Sequence, residues 1–125
     1  NILLHILQPH HSNMNMNITK NGVLMLAIAE ASMLGHTYVG TEHVLLSVCS
    51  LLDLTGKSRK LILKEIENFV GRGTPQVLSD RYLTLHAKRA LTDSSTIKDL
   101  LQILNSNSKL TSSMIIKKVI KSKER

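Results

Sequence analysis

A chain of 125 residues with 42% apolar side chains suits one compact domain, and no apolar run reaches the roughly 18–20 residues of a membrane-spanning helix. Aromatic residues make up only 2%, so a core must come from Leu, Ile, Val, Ala and Met, which pack best from closely approaching helices. The net charge of +7 is uneven: residues 1–56 set Lys20 alone against Glu30, Glu42 and Asp53, and fifteen bases face six acids in the remainder. A basic half attracts nucleic acid, anionic membrane or acidic protein without choosing among them, and it also keeps a helical surface solvated.

In chain order, Ile2 to Leu7 form a short apolar leader without the basic flank of a signal peptide. Residues 8–17, polar and containing Pro9, read as a linker. Thr19 is an expected N-cap, followed by an apolar stripe of Leu24, Ala27, Ile28, Ala31 and Leu34 at helical spacing, with Gly35 as the stop. After the turn Tyr38-Val39-Gly40, Thr41 is expected to cap a helix with Val44, Leu45, Val48 and Leu52 on its apolar side. Within it, Cys49 cannot form an internal disulfide and is expected to behave as a small buried hydrophobe. Ser58 is the expected cap of a third helix burying Leu61, Ile62, Ile66, Phe69 and Val70, ended by Gly71 and Gly73. Residues 74–80 read as a connection. Thr84 opens a short helix to Leu91, Thr96 another to about Leu104, and Ser113 a last one to about Lys121. No segment alternates with period two, so the expected fold class is all-α.

Positions recur along the chain. Thr19 with Ala27 is echoed by Thr84 with Ala87 and Ala90; Thr41, Leu45 and Leu46 by Thr96, Leu100 and Leu101; and Ser58 by Ser113. Two related helical units would bury their apolar faces against each other, a physical reason for such duplication.

The unbroken stretch Leu26 to Leu46, holding Glu30-Ala31, His36-Thr37-Tyr38-Val39 and Gly40-Thr41-Glu42-His43 before Leu45-Leu46, closely resembles the first repeat of the N-terminal domain of ClpC-type chaperones. The resemblance extends more weakly over residues 18–121, where Leu83 to Leu91 is similar to the opening helix of that family's second repeat. It implies eight helices in two four-helix repeats packed as one domain: a leader and linker over 1–17, a first repeat over 18–73 and a degenerate second repeat over 74–125. The second copy departs from the family, with Thr96-Ile97-Lys98 replacing the second Thr-Glu-His. The connections between Ser50 and Leu51, between Leu91 and Thr96 and around Ser108 are also shorter than the family's.

As implied by the resemblance, the function is to receive adaptors or substrate proteins for an ATPase ring and its protease core, without catalysis. The expected partner-binding residues are Glu42, Thr41, His43, His36 and Tyr38. Some bacterial members bind phosphorylated arginine through the glutamates of both Thr-Glu-His motifs; Glu42 matches the first and Ile97 fails the second, so that ligand is half supported. From the residues themselves, Thr41 and Glu42 have a plain role at a helix start, where a hydroxyl accepts a backbone N–H and a carboxylate complements the helix dipole. His36 and His43 lack the i, i+4 spacing and third ligand of a metal site, so no metal is expected. Gly56-Lys57-Ser58 mimics the end of a phosphate-binding loop, but Leu51 stands where the earlier glycine belongs. No cofactor and no catalytic constellation are expected.

Two alternatives remain: a stand-alone accessory protein of a plastid Clp protease, and a basic nucleic-acid-binding bundle using Lys117, Lys118, Lys121, Lys123 and Arg125. Aromatic platforms for single strands are missing from that tail. Abundant Asn, Lys, Ile and Ser fit an A/T-rich coding genome and, with the resemblance, the stroma of a plastid-type organelle ahead of a bacterial cytoplasm. The isolated domain is expected to be a monomer.

Overall fold

The computed structural model describes residues 18–123; the leader and linker assigned to 1–17 and the terminal Arg125 lie outside the described residues. Six α-helices follow in order: α1 (Lys20–Leu34), α2 (Thr41–Leu52), α3 (Lys57–Val70), α4 (Leu85–Asp93), α5 (Ile97–Leu104) and α6 (Thr111–Lys123). A 3-10 turn, Asp80–Tyr82, precedes α4. The all-α expectation holds. Among the described residues each half of the chain contributes three helices, where the resemblance implied four. No helix among them is long and apolar enough to cross a membrane.

Local chemistry explains most boundaries. The Oγ1 atoms of Thr19, Thr84 and Thr96 accept the N–H groups of Gly22, Ala87 and Asp99, as expected of N-caps. Gly35 ends α1 in the left-handed region at φ 74°, and its N–H reaches the carbonyls of Ala31 and Ser32. Three assigned caps need correction. Gly40, not Thr41, precedes α2, and α3 starts at Lys57 with Ser58 already inside it. Likewise α6 starts at Thr111, and Ser113 sits in its first turn with its hydroxyl donated to the Leu104 carbonyl.

The start of α3 is organised by Asp53 instead. Its carboxylate accepts from the backbone N–H and hydroxyl of Thr55 through Oδ1, and from those of Ser58 through Oδ2. Burial alone would raise this carboxyl, but the hydrogen bonds from Thr55 and Ser58 outweigh it and bring Asp53 down to about 2.

The core forms around α2, which packs against all five other helices. Every residue from Thr41 to Cys49 is buried. A stripe pattern expects one apolar face, whereas a helix surrounded by neighbours buries its whole circumference. Against it lie Val23, Ala27 and Ala31 of α1, Ile62 and Ile66 of α3, Ala87 and Ala90 of α4, Leu100 and Leu104 of α5, and Ile115 and Ile116 of α6. The α1 stripe is rotated from expectation: Val23 and Glu30 are buried, while Leu24 and Ile28 are half-buried. Glu30 is tolerated there because the Arg59 guanidinium donates to both its oxygens at 2.9 and 3.0 Å, tying α1 to α3. Cys49 is fully buried, and burial followed by the Asp53 charge pushes its thiol up to about 12. Phe69 and Val70 are a further correction, because α3 runs past the edge of the core and leaves them 44% and 37% exposed.

The connections are tight. Ser50 and Leu51 lie within continuous helix, and Ser94 to Thr96 join α4 to α5. Lys20 at the start of α1 donates to the carbonyls of Leu91 and Ser94 at the end of α4, joining the two halves. The shortened loops noted in the sequence therefore leave helices that remain directly coupled.

Candidate functional site

The residues singled out by the His-x-Tyr-x-Gly-Thr-Glu-His pattern converge on the turn between α1 and α2. Gly40 has no Cβ because one would overlap the Glu42 Oε1 atom and stand 3.0 Å from the Tyr38 ring. With that space open, Glu42 folds back and accepts a hydrogen bond from the Tyr38 hydroxyl at 2.8 Å. Burial, then the Glu42 charge and this hydrogen bond, hold the Tyr38 hydroxyl well above its usual range. The carboxylate also sits in the first turn of α2, where the N-terminal end of the helix dipole favours it.

The two histidines form a chain of hydrogen bonds. The Gly40 N–H donates to His43 Nδ1 at 2.9 Å, His43 Nε2 faces His36 Nδ1 at 2.7 Å, and His36 Nε2 faces the Gly71 carbonyl at 2.8 Å. A carbonyl only accepts and a backbone N–H only donates, so one arrangement of protons satisfies all three contacts. His43 carries its proton on Nε2 and donates to His36, which carries its own on Nε2 and donates to Gly71. Burial, and then the neighbouring His36, lower His43 to about 3. The neutral imidazole thus replaces Thr41 as the cap of α2. Tyr38 closes the cluster, lying parallel to His36 at 6.0 Å between centroids and edge-on to His43 at 5.5 Å.

This turn is also where distant parts of the chain meet. The Val39 N–H donates to the Tyr82 carbonyl and the Thr84 N–H to the Val39 carbonyl, making a one-residue parallel bridge between Val39 and Leu83. Thr41 Oγ1 accepts the Ser112 N–H from α6. Gly73 and Gln76 donate backbone N–H groups to the carbonyls of Leu34 and Ser32, fastening the strap after α3 across the end of α1.

The five sequence-chosen residues are therefore brought together, but mostly indoors. Exposure is 2% for Glu42, 4% for Thr41, 0% for His43 and 6% for His36; Tyr38 is half-buried and the most accessible. Glu42 is enclosed, and one of its two carboxylate oxygens, Oε2, is already occupied by the Tyr38 hydroxyl. Both ring nitrogens of each histidine are engaged with protein groups. Among the described residues no group of three His, Cys, Asp or Glu side chains could hold a metal. Ile97, standing where the second motif would place a carboxylate, opens α5 half-buried. The sequence reading missed the His36–His43 contact and the roles of Gly71, Tyr82 and Ser112. The two histidines were a signal in themselves, but their pairing depends on the turn's geometry.

Replacing Glu42 with alanine should lower stability by about 1–2 kcal/mol, because a buried charge-assisted hydrogen bond and a favourable helix-start charge are lost together. Urea unfolding checks this: the midpoint should fall with an unchanged slope. A midpoint matching the unsubstituted chain would mean that the Tyr38–Glu42 contact contributes nothing to the turn.

No protein-family model matches the chain. Among curated proteins it is similar to the ATP-dependent Clp protease ATP-binding subunit ClpA homolog of Trieres chinensis, 42% identical over 77 residues, covering 55% of this chain and 9% of that protein. The corresponding ClpA homolog of Cyanidium caldarium is 38% identical over 94 residues, 66% of this chain and 11% of its own length. The chloroplastic chaperone protein ClpC of Pisum sativum is 38% identical over 77 residues, 55% and 8% respectively. The chain thus spans about a tenth of the length of these relatives.

Proposed function

From its kinship with Clp ATP-binding chaperone subunits, to whose N-terminal domain this chain corresponds, we propose that it is a non-catalytic protein-recognition module. It receives adaptors or substrate proteins and presents them to a Clp-type unfolding ring for degradation. The observation that carries this reading is the coincidence of the motif-bearing turn with the fold's central junction: the residues resembling the family motif are those that hold helices α1, α2 and α6 and the strap in place. On this reading His36, Thr41, Glu42 and His43 shape the recognition surface from within, and Tyr38 is the member that a partner touches. The two halves, 18–73 and 74–125, act as a first and a degenerate second repeat. A plastid stroma is the compartment of choice, in line with chloroplastic relatives, and the isolated domain is a monomer.

Phosphoarginine fits this chain poorly as a ligand, because Glu42 is enclosed and Ile97 replaces the second carboxylate. The test is affinity capture from a native plastid extract at moderate salt, with the immobilised chain as bait and a Tyr38→Ala chain beside it. Recovery of adaptors, Clp subunits or unfolded clients, reduced by the substitution, supports the reading. Recovery only of nucleic-acid complexes that wash off with salt would overturn it in favour of a basic nucleic-acid-binding bundle.

A further inference from the structure

Three lysines of the second half stand together on one exposed feature that the turn does not involve. On α6, Ser112, Ser113, Ile115, Ile116 and Val119 face inward. This leaves Met114, Lys117, Lys118 and Lys121 as an outward stripe at i, i+3, i+4 and i+7 spacing. The end of α3 runs alongside and presents Phe69. Between them lies an open groove of about 910 Å³, closed at one end by the α5–α6 turn. Its apolar lining comes from Phe69, Met114 and Ile120, the first two 44% and 38% exposed. Its charged lining consists of Lys117, Lys118 and Lys121, with no carboxylate in the wall. None of these lysines is in a salt bridge among the described residues, whose ion pairs are Arg59–Glu30 and Arg72–Glu67.

We propose that this groove is a docking site for an acidic, amphipathic protein segment, whose apolar side chains cover Phe69, Met114 and Ile120 while its carboxylates meet Lys117, Lys118 and Lys121. Charge complementarity identifies the occupant. Three lysines with no carboxylate among them call for an anionic partner, and an apolar floor calls for one with hydrophobic side chains as well. A nucleic-acid backbone would satisfy the lysines but leave the floor uncovered, and one phenyl ring does not make a platform for successive bases. The leader at 1–17 contains neither Asp nor Glu and so does not supply the charge complement. The inference rests on the recognition reading above and specifies the chemistry of one partner segment.

The test is fluorescence anisotropy with a labelled peptide that places Leu and Phe at i, i+3, i+4 and i+7 among Glu residues. Three further probes accompany it: the same peptide with Lys for Glu, the same peptide with Ser for Leu and Phe, and a labelled single-stranded oligothymidine. Each is measured against the unsubstituted chain and a Lys117→Glu/Lys118→Glu/Lys121→Glu chain. These positions are exposed, so circular dichroism and melting should match between the two proteins. The acidic amphipathic peptide should bind, weaken as salt rises, and lose about tenfold or more in affinity to the substituted chain. Neither altered peptide should compete. Equal binding of the acidic peptide to both chains, equal binding of the Ser peptide, or preferential binding of oligothymidine would overturn the proposal. A reduced, unfolded model protein serves as a separate arm. If both chains bind it equally and the acidic peptide fails, recognition stands and the groove does not; if neither chain binds any protein probe, the recognition reading itself falls.

Discussion

A Gly35→Val chain should lose a large share of its stability, on the order of 4 kcal/mol or more where a domain typically has 5–15 kcal/mol. Two causes act together. Gly35 sits at φ 74°, where a β-branched residue is strained by roughly 1–2 kcal/mol or more. A Cβ there would also overlap the backbone of Gly73, coming within 2.6 Å of its Cα. Backbone cannot rotate aside as a long side chain can, so the strap must lift away from the end of α1. That movement sacrifices the bonds from the Gly73 and Gln76 N–H groups to Leu34 and Ser32. Chemical denaturation reads the effect directly, and Gly73→Ala provides the reciprocal test, since its Cβ would stand 2.7 Å from the Gly35 oxygen. Near-normal stability in the Gly35→Val chain would show that the contact between these two glycines is dispensable.

Acidification is the second large effect. His43 has its folded-state pKa lowered from 6.5 to about 3, so the unfolded chain binds a proton throughout the interval in which the folded chain does not. The associated stability is fully present above about pH 6.5 and is lost as pH falls through the interval toward 3. Within that interval the loss runs at up to about 1.4 kcal/mol per pH unit. The structural reason is local: a second proton would go on Nδ1, where it meets the Gly40 N–H and breaks the cap of α2. Asp53 adds in the same direction at lower pH, because its depressed pKa makes its contribution disappear as pH drops from 3.8 toward 2. Denaturant midpoints measured between pH 7 and 4 should fall steadily. A His43→Asn chain, which keeps an acceptor near Gly40 but does not titrate, should be less stable at neutral pH and have a markedly flatter profile. An equally steep profile would assign the acid sensitivity to other groups.

The helical class and several helix ends were legible because they depend on neighbours in sequence. A threonine three residues before an N–H can cap it whatever surrounds the helix, and Thr19, Thr84 and Thr96 do so. Thr41 looked the same and behaves differently, because it is the first residue inside its helix and its hydroxyl accepts from Ser112 instead. Ser58 and Ser113 likewise looked like caps but donate to Asp53 and Leu104. The burial of Glu42 was hidden for a related reason. A carboxylate in a first helical turn is ordinarily solvated, and here it is enclosed by Tyr38 and by the absent side chain at Gly40. In the second half, Leu100 and Leu101 are buried as Leu45 and Leu46 are, yet Thr96 caps its helix where Thr41 does not. The echo in the sequence thus corresponds to similar burial and dissimilar end chemistry. The apolar count on α3 suggested a face that continues to Val70, whereas the core ends a turn earlier.

The bridge between Val39 and Leu83 has a consequence for how the molecule opens. Its two amide hydrogens belong to segments far apart in sequence, and neither can exchange with solvent until those segments separate. Val39 is itself fully buried and adjoins Gly40, the residue before α2, the helix against which all the others pack. The bridge therefore couples the two halves of the chain, and slow amide exchange at both Val39 and Thr84 is the expected sign that they open together. A load applied to one half of the chain would then be passed through this bridge to the other, and not met by separately yielding helices.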